Sequence, residues 1–121
     1  MPACEITIEK IDFEEPIHIV RITGALDAYS FPDFEVKVRE IFDKDGRNII
    51  LDFGKLDYIS SAGLGALMGF AKIARQNKGD LIILKPTPKI GSIIDVLGLS
   101  KFIKVFWDEK TALNSFVSKA G

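Results

Sequence analysis

Two adjacent hydroxyls, Ser60 and Ser61, precede a run of small residues, Ala62-Gly63-Leu64-Gly65-Ala66-Leu67-Met68-Gly69, and these types at this spacing suggest chemistry. A helix starting there would leave first-turn N–H groups unpaired, so one serine can cap it while the other stands as a free loop hydroxyl. Two reactive roles compete with that plain one. A nucleophilic serine needs a base within hydrogen-bond reach, but the single His18 lies on another segment and no Gly-x-Ser-x-Gly elbow is present, so hydrolase chemistry is not expected. A phosphorylated serine suits the place better. Phosphate adds about −1.5 to −2 charges, is satisfied by a helix N-terminus without unfolding it, and changes a contact surface electrostatically.

The glycines admit two readings. Each costs about 1 kcal/mol in a helix interior relative to Ala, so Gly63, Gly65 and Gly69 imply a close approach to this backbone, either by the sheet beneath or by something outside the chain. Gly63-x-Gly65-x-x-x-Gly69 also has the look of a variant dinucleotide fingerprint. The nine residues between Phe53 and Gly63 are too many for the tight strand-to-helix turn that holds a pyrophosphate, the next strand ends in Lys85 instead of an acid, and no Gly-Lys-Ser/Thr phosphate loop occurs. Asp27, after Gly24-Ala25-Leu26, reads as an Asx turn or a cap for the helix that follows. Cys4 and Met68 read as core, and Trp107 as packing, since no basic cluster surrounds it.

Composition removes several function classes. Sixteen basic against 17 acidic residues give a formal net charge of −1 with no basic stretch, so neither a nucleic-acid partner nor a phosphate-tracking surface is expected. One Cys and one His cannot form an internal disulfide or a Cys- or His-pair metal motif, which fits a reducing, cytoplasmic setting without a metal or other cofactor. The longest apolar run, Ala62 to Ala71, has ten residues where a bilayer span needs about 20, and the N-terminus lacks the pattern of a signal peptide, so no membrane association is expected. The 121 residues, 47% apolar with nine Phe, suffice for one domain over 1–121 with a real core.

The elements that must position these residues follow from periodicity. Cys4, Ile6 and Ile8 alternate with Glu5, Thr7 and Glu9, predicting a strand over 4–11; a turn at 12–16 and the β-branched run 17–23 complete a hairpin. Ser30 offers a cap, with Pro32 in the first turn, for a helix through Phe34, Val38, Ile41 and Phe42 that stops near Lys44-Asp45-Gly46. Asn48 to Phe53 reads as a central strand, Gly54 to Ser60 as a loop, and Leu64, Leu67, Met68, Ala71 and Ala74 as the inner stripe of a helix ending toward Gly79. Strand 81–84 follows, implying a right-handed parallel crossover, then a helix from Thr87-Pro88 to Gly98, a strand over 102–106 and a helix over 109–118. The predicted order is ββαβαβαβα, an α/β domain with one mixed sheet and amphipathic helices against it.

Gly24-Ala25-Leu26-Asp27, then Ile49 to Phe53, then Leu56-Asp57-Tyr58-Ile59-Ser60-Ser61-Ala62-Gly63-Leu64-Gly65 resemble the anti-sigma factor antagonists, the stand-alone bacterial STAS domains. The likeness runs nearly end to end, through Ile94 to Leu99 and Ala112-Leu113. It implies a binding module, not an enzyme, that competes for an anti-sigma factor which is itself a serine protein kinase, and so releases a sigma factor. Phosphorylation turns the interaction off and a PP2C-type phosphatase restores it. The family motif commonly reads Asp-Ser-Ser/Thr-Gly-Leu-Gly with its first Ser phosphorylated, so registration on Gly63-Leu64-Gly65 makes Ser61 the acceptor, with Ser60 the second candidate. Ser60 stands where the family usually has Asp, and Ala62 replaces the second hydroxyl residue. The implied partner surface is Asp27, Tyr58, Ile59, Ser60, Ser61, Ala62, Gly63 and Leu64. Alternatives are a module binding a nucleotide or other small ligand on the Gly63 to Gly69 face, or an unphosphorylated STAS protein in a different signalling pathway.

Overall fold

The computed structural model describes residues 4–12 and 14–117. Five strands form one sheet in the order β1-β2-β3-β4-β5, with β1 (Cys4–Asp12) antiparallel to β2 (Pro16–Leu26), and β3 (Asn48–Ile59), β4 (Asp80–Leu84) and β5 (Val105–Phe106) continuing in parallel. The crossovers carry α1 (Phe31–Asp43), α2 (Ser61–Gln76) and α3 (Pro88–Val96), and α4 (Glu109–Val117) ends the described chain. This is the mixed-sheet α/β architecture in the expected ββαβαβαβα order. Ser118, placed by sequence in the last helix, lies outside the described residues.

Strand alternation divides the core in two. Val20, Ile22, Ile49, Leu51, Phe53, Leu81 and Ile83 face α1, α2 and α3, whose Phe34, Val38, Leu67, Phe70 and Ile90 complete the larger cluster. Ile17, Ile19, Ile50, Ile82 and Leu84 face the other way, toward Ala112, Leu113 and Phe116 of α4. Because β3 and β4 are covered on both sides they read as unbroken apolar runs, as buried parallel strands do. An edge-on contact between the Phe34 and Phe70 rings, centroids 6.1 Å apart, ties α1 to α2.

Three boundaries differ from the sequence expectation, each for a local reason. The segment 54–59, read as loop, continues β3. It pairs with an equally prolonged β2, Gly24 opposite Leu56 and Leu26 opposite Ile59, across two register shifts that destroy the two-residue rhythm a strand normally shows. Gly24 adopts a φ of 104°, which side-chain-bearing residues rarely do. At the other edge the expected strand 102–106 shortens to Val105–Phe106, because Leu99–Lys101 turns as a 3-10 helix after the left-handed Gly98. Finally, Ser30 precedes α1 but makes no side-chain cap; the Asp27 carboxylate accepts the free N–H groups just ahead of the helix instead.

Candidate functional site

Strands β2 and β3 end side by side, and their ends carry the candidate residues. The Ser60 N–H donates to the Leu26 carbonyl at 2.9 Å, fastening the end of β3 to the last residue of β2. Asp27 therefore follows one strand and Ser61 the other, at the carboxyl ends where parallel α/β sheets place their sites. In α2 the two serines have different jobs. Ser60 is the N-cap: its backbone is extended and its Oγ accepts the Gly63 N–H at 3.0 Å. Ser61, the first helical residue, is exposed, and its hydroxyl makes no hydrogen bond among the described residues. The N–H groups of Ser61 and Ala62 have no acceptor within the helix, so two donors and a positive dipole end lie at the helix terminus that carries that hydroxyl.

Of the glycines of α2, Gly63 alone meets the sheet closely. A Cβ on Gly63 would stand 2.9 Å from Ile59 Cγ1 and 3.3 Å from Ser60 Oγ, so Gly63 lets the helix begin directly on β3. Gly65 and Gly69 behave differently: a Cβ on either meets nothing within 4 Å, so the sheet does not explain them. Ile59, Gly63 and Leu64, counted by sequence in the partner surface, are buried and hold the helix start. Tyr58, Ser61 and Ala62 are exposed and Ser60 is half-buried, so these form its accessible portion.

Asp27 sits in the turn before α1. Its Oδ1 accepts the Tyr29 N–H at 2.9 Å and the Ser30 N–H at 3.1 Å. Bonds from the Ser30 and then the Tyr29 backbone hold its carboxyl below the ordinary carboxylate value, so it is a charged group at neutral pH. Tyr29, not singled out by sequence, stands 93% exposed between them. No periodicity marks a lone aromatic in a turn, and only its Asp27-x-x-Ser30 frame could have pointed to it.

The chain's other reactive groups lie elsewhere. His18 pairs with Ile49 at the opposite end of β3, about 35 Å of strand from Ser60 at ~3.3 Å per residue, so it cannot act as a base there. Its Nδ1 is buried without a hydrogen-bond partner among the described residues, and burial followed by the Lys10 charge lowers its pKa. Cys4 is half-buried against the core; burial pushes its thiol pKa up. Met68 is likewise partly buried, whereas Trp107 is 66% exposed. Among the described residues no group of three or more His, Cys, Asp or Glu is placed to hold a metal, and no helix is long and apolar enough to cross a membrane.

Residues 10–112 match the STAS domain. The chain belongs to the STAS domain family. Two relatives of this STAS protein carry the name of anti-sigma factor antagonist. BtrV of Bordetella bronchiseptica is 30% identical over 112 residues, covering 93% of this chain and 94% of BtrV. The anti-sigma-B factor antagonist of Staphylococcus aureus is 28% identical over 92 residues, covering 76% and 85%. The same fold recurs in an anti-sigma factor antagonist from Mycobacterium paratuberculosis, with a TM-score of 0.80 at 19% identity over 96% of this chain and 97% of that one. It recurs in SpoIIAA in its unphosphorylated form, with a TM-score of 0.73 at 23% identity over 88% and 92%. The phosphorylated form of SpoIIAA, from Bacillus, gives 0.71 at 22% identity over 92% and 98%. The match covers from 85% to 98% of the length of each of these proteins.

Proposed function

We propose that this protein is an anti-sigma factor antagonist forming one STAS domain over 1–121, which binds an anti-sigma factor in its unmodified form and so frees a sigma factor. The names of its relatives support that role. The partner is also a serine protein kinase; it docks on the Asp27 turn, Tyr58 and the start of α2, and ends the interaction by phosphorylating Ser61. A PP2C-type phosphatase reverses the step, and the exchange takes place in the cytoplasm.

The observation that carries this reading is the division of labour between the two serines. Ser60 Oγ is committed to the Gly63 N–H, whereas Ser61 is exposed with a free hydroxyl beside unpaired N–H donors. A kinase transferring phosphate to Ser61 finds an oxygen it need not pull from the fold. The product is accommodated by the helix end without rebuilding it, and the surface between the exposed Asp57 and the charged Asp27 gains about −1.5 to −2 charges. On a chain of formal net charge −1 that is a large local change, delivered without a change of shape. Ser60 in place of the family's usual Asp leaves the cap intact, since a hydroxyl and a carboxylate both accept the Gly63 N–H.

Incubation with the anti-sigma factor kinase and Mg-ATP should add one phosphate, mapped to Ser61 by peptide mass spectrometry, and Ser61→Asp should bind that partner less tightly than wild type. Phosphate on Ser60, no phosphate at all, or undiminished binding by Ser61→Asp would overturn the switch.

A further inference from the structure

The turn joining β2 to α1 is tied more firmly than a connection requires. Asp27 Oδ1 already caps it through the Tyr29 and Ser30 N–H groups. The Ser30 hydroxyl adds a second layer. It accepts the Asp27 N–H at 3.0 Å, and its single proton is shared between the Ala25 carbonyl at 2.6 Å and Asp27 Oδ1 at 3.1 Å. One side chain thus joins the last residues of β2, the Asp27 backbone and the Asp27 carboxylate. Asp27 Oδ2 keeps no hydrogen bond among the described residues, and Tyr29 projects at 93% exposure. The fold makes no use of either. An ordered carboxylate oxygen beside an exposed aromatic on an ordered backbone is the material from which protein interfaces build their anchors. The turn also leaves directly from Leu26, whose carbonyl holds the Ser60 N–H.

We propose that Ser30 is a positioning residue for partner recognition: its hydroxyl fixes the turn so that Asp27 Oδ2 is presented already ordered, and the exposed Tyr29 ring is carried on an ordered backbone, at the end of the sheet where Ser61 lies. This deepens the antagonist reading and rests on it. The physical gain is preorganisation. A partner that meets an ordered turn does not have to freeze it, and the entropy saved appears as affinity. Cys4 from β1 and Asp33 of α1 are the other ionisable groups facing the turn, so the unbound turn is an acidic surface.

The test is a double-mutant cycle on binding of the unmodified protein to the anti-sigma factor kinase that phosphorylates Ser61. Ser30→Ala should bind about fivefold more weakly, the equivalent of one lost hydrogen bond. Ser30→Thr should bind like wild type. In an Asp27→Asn background, where the cap survives and the charge does not, Ser30→Ala should change binding far less than it does alone. Tyr29→Ala, at a position too exposed to unfold the domain, should weaken binding with an unchanged melting temperature. Carbon-13 titration of the Asp27 carboxyl should show its pKa higher in Ser30→Ala, a shift that loss of stability alone would not produce. Wild-type affinity in Ser30→Ala, or fully additive effects of Ser30→Ala and Asp27→Asn, would overturn the positioning role while leaving the antagonist reading standing. Absence of binding by the wild-type protein would overturn the antagonist reading itself.

Discussion

At the scale of single residues, the two serines make opposite predictions although they are neighbours. Ser60→Ala removes the acceptor of the Gly63 N–H and should cost about 1 kcal/mol of stability, as loss of an N-cap does. Ser61→Ala removes a hydroxyl that makes no hydrogen bond among the described residues and should stay within about 0.5 kcal/mol of wild type. Urea midpoints of the two variants decide this, and equal losses would mean that the serines share the cap. His18 makes a second residue-level prediction. Its pKa in the folded protein lies below the ordinary 6.5, because burial disfavours the imidazolium and Lys10 repels it. The unfolded chain therefore takes up the proton first as the pH falls. Stability should be flat above about pH 7, decline as the pH drops through 6.5, and level off once the folded imidazole is protonated too. A His18→Gln variant should lose that slope between about pH 7 and 6, above the ordinary titration range of carboxylates.

At the scale of elements, α2 separates glycines that the fold needs from glycines that it does not. Gly63→Ala should destabilise, because its Cβ would meet Ile59 at 2.9 Å, tighter than real Cβ contacts. Gly65→Ala and Gly69→Ala place a methyl in open space and should each stabilise the helix by about 1 kcal/mol, raising the melting temperature by roughly 4 °C. A fall in melting temperature for either would mean that the backbone there is not ordinary helix. These positions also show what can be read from sequence and what cannot. The start of α2 is legible because paired serines before glycine and an apolar stripe carry a local signal, Ser60-Ser61-Ala62-Gly63-Leu64. Whether a glycine faces the sheet or solvent depends on tertiary placement, so all three look alike in one dimension. The tail of β3 is illegible for the converse reason: between Gly54 and Ile59 its buried residues, Leu56 and Ile59, fall three apart, a spacing created by register shifts against β2. The Asp27 cap is legible as one of two options for a loop Asp. The Ser30 hydroxyl, by contrast, reads as a cap for α1, because one-dimensional spacing cannot show that it turns back to Ala25.

At the scale of the molecule, the sheet is covered unequally, and this bears on how a binding module stays rigid while one end of it is handled by partners. Three helices cover one face, whereas the other carries α4 over Ile17, Ile19, Ile50, Ile82 and Leu84. On that thinner side Arg21 joins four elements. Its Nη2 donates to Glu9 of β1 at 2.9 Å, and its Nη1 to Asp52 of β3 at 2.7 Å and to Glu109 of α4 at 3.1 Å. Exposed ion pairs contribute little, so Glu9 matters least. The Asp52 side chain is only 14% exposed, and removal of the guanidinium would leave it charged and partly desolvated with the Gly54 N–H as its remaining bond. Arg21→Ala should therefore cost about 2 kcal/mol and accelerate amide exchange in α4 and β1 before it does so in β3. Arg21→Lys should recover only a fraction of the loss, because one ammonium cannot reach three carboxylates as a planar fork does. The Asp27 turn and Ser61 lie on neither α4 nor β1, so the folded Arg21→Ala protein should bind the anti-sigma factor with unchanged affinity. Weaker binding at temperatures where the variant remains folded would show that the α4 side of the sheet takes part in recognition.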